Sequence, residues 1–260
     1  MSKILAVRLS SLGDVVLTQP VITALAQTGH EVSLLTKPAY RAVAEMFPGI
    51  AGVLTSPEDL TGEYALVLDW HGTLRARTWI SRLKKIKSAR YAKRSWARRL
   101  LVRPWGHPVF WNTWPTWGED VSVTAAYARA AEQAGLTLPR HEPRLVIPAS
   151  AQQAAAALLT QAGVSDQEAW VAMAPGAKWP TKQWSWEAYG ALAADLEKNL
   201  NLRTVFLGGS ADIGVCQAAR VRAGGRAVSL AGQTSLPALA ALLSQARLLV
   251  SNDSGPLHLG

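Results

Sequence analysis

Apolar residues in this chain fall in short unbroken runs more often than in strict alternation. Lys3–Leu9, Glu31–Thr36 and Tyr64–Asp69 in the first half read as strands buried on both faces. So do Trp170–Ala174, Arg203–Leu207, Arg226–Leu230 and Leu248–Ser251 in the second. Between them lie stretches of helical period: Val15–Leu25, Tyr40–Met46, Val121–Ala134, Ala149 to about Gly163, Trp186–Asn199, Ile213–Ala223 and Leu236–Gln245. Pro20 removes a backbone donor and clashes one turn back, so the first helix is expected to kink or restart there. Alternation at this spacing predicts βαβ units and parallel sheets. Because the pattern repeats, two doubly wound α/β domains are expected, 1–150 and 151–260, with the boundary somewhere in 143–165.

The turns that leave these strands carry the candidate chemistry, since open parallel sheets bind ligands at the carboxyl ends of their strands. The last stretch, LLVSNDSGPLHLG, is a strand, a tight loop and a helix start. Ser254 and Gly255 allow close backbone approach to an anion, Asp253 can accept from a hydroxyl, and His258 sits one turn further on. An ordinary strand-to-helix turn capped by Asp253 or Ser254 fits this stretch equally well. The segment MAPGAKWPTKQWSWEAY places Lys178 and Lys182 beside Trp179, Trp184 and Trp186, and a lysine before a helix is a point charge suited to a diphosphate. Gly208, Gly209 and Asp212 follow the next strand, and Gly232–Ser235, with Thr234, follow the third. In the first half, SSLGD (10–14) turns into a helix with Asp14 at its start, and DWHGTLR (69–75) ends a strand with His71 and Arg75. Only Gly13 is present where a dinucleotide fingerprint needs three glycines, which argues against a nicotinamide enzyme.

Charge adds one feature. The chain of 260 residues carries a formal +9, and from Arg75 to Arg103 there are twelve Lys or Arg with no Asp or Glu. An acidic partner is implied there. A solvated helix face would also account for the run, and nucleic-acid binding predicts the same mixture of basic residues with Tyr91 and Trp96. Pro104–Gly118 holds four tryptophans and three prolines and is expected to pack as a lid; stacking on sugar rings or on a membrane interface are the alternatives. No apolar run reaches the roughly 18 residues of a membrane span and the N-terminus reads directly as a strand, so a cytoplasmic protein is expected. The single cysteine, Cys216, reads as core.

Taken together, Lys182 with Trp184, and Asp253, Ser254, Gly255 and His258, resemble the K-x-W and D-[ST]-G-x-x-H elements of glycosyltransferase family 9, the ADP-heptose:lipopolysaccharide heptosyltransferases. The resemblance implies a GT-B architecture, with an N-terminal acceptor domain and a C-terminal nucleotide-sugar domain facing a cleft. It implies transfer of heptose from ADP-L-glycero-D-manno-heptose to the Kdo-containing inner core of lipopolysaccharide, inverting, without metal or other cofactor. Asp14 in its S-x-G-D element would be the general base, with Ser11 and Gly13 beside it. Lys182 would assist catalytically at the diphosphate. Donor binding would fall to Lys182, Asp212, Thr234, Asp253, Ser254, Gly255 and His258, and acceptor binding to Ser11, Gly13, His71, Arg75, Lys93 and Arg94. A monomer with peripheral contact at the inner face of the cytoplasmic membrane, and no nucleic-acid partner, is expected.

Family members are longer, so the second sheet is expected to be unfinished, with Leu248–Ser251 as its open edge and only a short helix presenting Ser254 and Gly255. Two alternatives follow from the residues. One is an inactive, truncated relative that binds anions through the basic segment; the other is a nucleic-acid-binding protein using residues 75–103.

Overall fold

The structure, a computed structural model, describes residues 1–83, 86–90, 122–140 and 142–260. The chain divides into two compact units, Met1–Ser10 with Leu17–Arg144, and Ser11–Val16 with Leu145–Gly260.

The first unit is built on five parallel strands, β1 (Lys3–Val7), β2 (Glu31–Leu35), β3 (Gly52–Leu54), β4 (Leu66–Asp69) and β5 (Lys87–Arg90), in the order β3-β2-β1-β4-β5. Ile4 to Val7 are fully buried, as expected of a central parallel strand covered on both sides. One face of the sheet packs Leu5, Val7, Leu35 and Val67 against Ala76, Trp79 and Ile80 of a helix at Leu74–Ile80. The expected restart at Pro20 is present: helix α1 (Leu12–Val16) ends and α2 (Gln19–Gln27) begins with the proline in its first turn, where a missing N–H costs nothing. Two further strands have no counterpart in the hydrophobic pattern. β3 is only three residues long. β5 is charged and largely exposed, because an edge strand needs no apolar face, and so part of the basic run is extended rather than helical.

The second unit has four parallel strands, β6 (Trp170–Ala174), β7 (Arg203–Phe206), β8 (Val228–Ser229) and β9 (Leu248–Ser251), in the order β8-β7-β6-β9. Successive side chains alternate between two cores. Ala172, Val205 and Leu207 meet the helices at Ala149–Gln161 and Leu236–Gln245. Val171, Met173 and Phe206 meet those at Trp186–Leu200 and Ile213–Ala223. Helices on both faces make this a doubly wound α/β sheet. β8 keeps two of its five expected residues, and β9 is an edge strand with Leu248 exposed. The fully buried Cys216 is core, its thiol pushed up to about 12 by burial.

Candidate active site

Both sheets reverse strand order once, between β1 and β4 in the first and between β6 and β9 in the second. Loops leaving the strands on either side of a reversal diverge, and the crevice they leave at the carboxyl edge is where open parallel sheets bind ligands.

In the second unit the β6 and β9 loops meet through Asn252, which is 6% exposed. Its Oδ1 accepts from the Trp184 backbone N–H (3.0 Å) and the Tyr189 hydroxyl (3.1 Å), and its Nδ2 donates to the Pro175 carbonyl (2.7 Å). Tyr189 is buried, its phenol pushed up to about 12 by that burial, and its ring meets Trp184 edge-on at 4.9 Å. Thus one amide fixes both walls of the crevice. The sequence marks Asn252 only as turn chemistry; the one signal available is a short amide directly after a buried strand.

On this frame Lys182 is ion-paired with Asp253, both side chains about half exposed at 45% and 56%. His258 Nε2 lies 3.8 Å from the other oxygen of Asp253. The hydrogen bond from Lys182, and the charges of Lys182 and His258, hold the Asp253 carboxyl below the usual carboxylate range. Three expected donor residues are therefore brought together. Ser254 precedes a helix of only five residues, Gly255–Leu259, and its hydroxyl is 3.4 Å from that of Ser251. Asp212 turns back to accept from the Gly209 N–H at 2.9 Å. Its side chain lies so close to Gly176 and Gly208 that a Cβ at either would overlap it, 2.2 Å from the carboxylate Oδ1 at Gly176 and 2.6 Å from the Asp212 Cβ at Gly208. Glycine is required at both positions for that packing. Thr234 is half-buried in the loop after β8.

Ser11–Val16 is grouped with this unit, and α1 packs on the last helix. A Cβ on Gly13 would stand 2.2 Å from the His258 ring, and one on Gly255 2.7 Å from Leu12, so both glycines permit the close approach. Asp14 Oδ2 accepts from Ser11 N–H and Ser11 Oγ, each at 2.9 Å. This is the return half of a capping box, which orients the carboxylate.

In the first unit β4 ends at Asp69, 1% exposed, whose Oδ1 accepts from the backbone N–H of His71 (3.1 Å) and Gly72 (2.8 Å). Arg8, 4% exposed at the end of β1, donates from Nη1 to the Trp70 carbonyl at 2.6 Å. His71 is half-buried, and Arg75 is exposed on a helix that Thr73 caps. Lys93, Arg94 and the stretch 104–118 lie outside the described residues.

Two parallel sheets of this order, each with ligand-type groups at its reversal point, define a GT-B-type glycosyltransferase fold. Solved structures share it at low sequence identity. The glycosyl transferase family 9 protein from Veillonella parvula DSM 2008 matches with TM-score 0.82 at 20% identity, over 100% of this chain and 77% of that one. E. coli ADP-heptose lps heptosyltransferase II matches with TM-score 0.72 at 15% identity, over 99% and 81%. E. coli heptosyltransferase WaaC with ADP matches with TM-score 0.71 at 19% identity, over 99% and 83%. Among curated proteins none matches. The profile of Glycosyltransferase family 9 (heptosyltransferase) matches residues 58–260, and the chain belongs to that family. Among the described residues no group of three or more His, Cys, Asp or Glu is placed to hold a metal ion, and no helix is long and apolar enough to cross a membrane.

Proposed function

We propose that this chain transfers heptose from ADP-L-glycero-D-manno-heptose to the Kdo-containing inner core of lipopolysaccharide, with inversion at the anomeric carbon. The observation that carries the reading is the Lys182, Asp253 and His258 cluster at the reversal point of the second sheet. A single ammonium there, flanked by the Ser254–Gly255 backbone, suits the charge that builds on a departing diphosphate. Asp253 is the acceptor for a donor hydroxyl. The named relative with ADP supports a nucleotide of this kind. Residues 151–260 are thereby the donor domain, and residues 1–150 the acceptor domain.

Asp14 is the general base. Its bonds to Ser11 fix one oxygen and orient the carboxylate, and a positioned carboxylate can take the proton of an attacking hydroxyl as its oxygen reaches the anomeric carbon. The acceptor side is His71, Arg75, Lys93 and Arg94, in a part of the chain whose charge matches the carboxylates and phosphates of the inner core. With such an acceptor the enzyme works as a monomer at the inner face of the cytoplasmic membrane.

The test is calorimetry with ADP, followed by transfer from ADP-heptose to Kdo-lipid A. Saturable ADP binding that Lys182→Ala weakens, with transfer that Asp14→Ala abolishes, is expected. A folded sample that binds no ADP would overturn the assignment. Salt-sensitive oligonucleotide binding in its place would favour the nucleic-acid reading.

A further inference from the structure

The turn that carries His71 is held by two buried ionisable side chains that bond its backbone. From one side Asp69 Oδ1 accepts from two successive N–H groups, His71 and Gly72. From the other, the Arg8 guanidinium donates to the Trp70 carbonyl and sits over the Tyr127 ring, 5.8 Å from its centroid. Trp70 is fully buried and stacks on Tyr127 at 5.1 Å, so packing also holds the residue between the two clamps. Gly72 then takes a left-handed backbone (φ 66°), the conformation that swings the chain out of the strand and into the next helix.

Burying a carboxylate and a guanidinium is costly, and apolar residues of the same size would stabilise a core as well or better. The Oδ2 of Asp69 makes that point directly, since it is buried without a hydrogen-bond partner among the described residues. Here the two groups fix one backbone geometry, Asp69 by accepting from two N–H groups and Arg8 by donating to the Trp70 carbonyl. The turn they specify lies beside the strand-order reversal between β1 and β4, where a ligand of the first sheet would sit.

We infer that Asp69 and Arg8 are positioning residues for acceptor recognition: together they fix the Trp70–Gly72 backbone and so set where His71 is presented. The inference rests on the acceptor reading of His71 given above. Both residues belong to the unit that carries His71, not to the one that carries Lys182 and Asp253, so their loss is expected to change acceptor affinity and to leave donor affinity alone.

Steady-state transfer from ADP-heptose to Kdo-lipid A, with both substrates varied, tests it. Asp69→Ala removes both turn hydrogen bonds and is expected to raise the KM for Kdo-lipid A about tenfold or more, with donor KM within about twofold. Asp69→Asn keeps the accepting oxygen and is expected to recover most of that loss. Gly72→Ala meets no atom but strains the left-handed backbone, and is expected to shift acceptor KM in the same direction. His71→Ala separates the two levels of the argument. Unchanged acceptor KM in His71→Ala would overturn the acceptor reading itself. A raised KM there, with Asp69→Ala and Gly72→Ala folded and unchanged, would overturn the positioning role alone. Equal rises in donor and acceptor KM would show that Asp69 only holds the domain together.

Discussion

The two sheets finish the strand beside their reversal point in contrasting ways. In the first, Asp69 bonds forward to the N–H groups two and three residues on, so the turn is closed locally. In the second, Asn252 reaches back about seventy residues to Trp184, Tyr189 and Pro175, and so joins two loops. A charge suffices for the first task because both groups that Asp69 Oδ1 bonds are donors. The second needs an amide, which can donate and accept at once. The next residue, Asp253, is then left half exposed to pair with Lys182. The lesson is a division of labour in which buried polar groups shape the loops and partly exposed ones are left to the chemistry proposed above.

That division is broken most sharply if a scaffold carboxylate proves catalytic, or a catalytic one proves to be scaffold. Asp14→Asn preserves shape and removes the base. Transfer is expected to fall about a thousandfold, with ADP affinity and melting temperature near those of the parent. Retained transfer would mean that Asp14 serves only to cap α1.

Next in size is Lys182→Ala, which deletes the ammonium proposed for the diphosphate. ADP affinity is expected to fall about ten- to a hundredfold by calorimetry, with little change in thermal stability. Asn252→Ala should do the reverse of a pure binding defect. Removing a 6%-exposed amide takes away the partner of the Trp184 N–H and of the Pro175 carbonyl and leaves the Tyr189 hydroxyl only its long bond to the Ala174 carbonyl (3.5 Å), at a cost of about 3 kcal/mol in chemical denaturation. ADP affinity then falls only through the displaced loops. If Asn252→Ala were as stable as the parent, the joining of the two loops would have to rest on packing instead.

The contrast also explains what can be read in advance. Parallel strands buried on both faces announce themselves as apolar runs, which is why β1, β6 and β7 stand close to where the pattern puts them. β5 carries Lys87 and Arg90 and is an edge strand; no hydrophobic signal exists for a strand that buries so little of itself. Asp212, Asp253 and His258 can be picked out because strand-end turns of one sheet share an edge. Their partners cannot, since the Asp253–Lys182 pair and the Asp212 contact with Gly176 join residues far apart in the chain. The buried Arg8 is hidden for another reason: a charge inside an apolar run gives no sign of the carbonyl it bonds, 62 residues further along the chain.

The smallest expected effect belongs to the Lys182–Asp253 pair as a source of stability. The pair holds the Asp253 carboxyl below its usual range, so the charged form is favoured in the folded state. A depressed carboxyl contributes stability in full above its unfolded value, about 3.9, and loses it as pH falls through the lower folded value. Both side chains are about half exposed, so solvent screens the interaction and its worth should stay under about 1 kcal/mol. Comparing the parent with Asp253→Asn in thermal melts across pH, a small difference is expected above the unfolded value, vanishing in acid and shrinking as salt is raised. A difference of several kcal/mol at neutral pH, or one that survives unchanged below the folded pKa, would place Asp253 with Asp69 and Asn252 among the groups that shape the loop, and the division between scaffold and chemistry would then fail at its most exposed member.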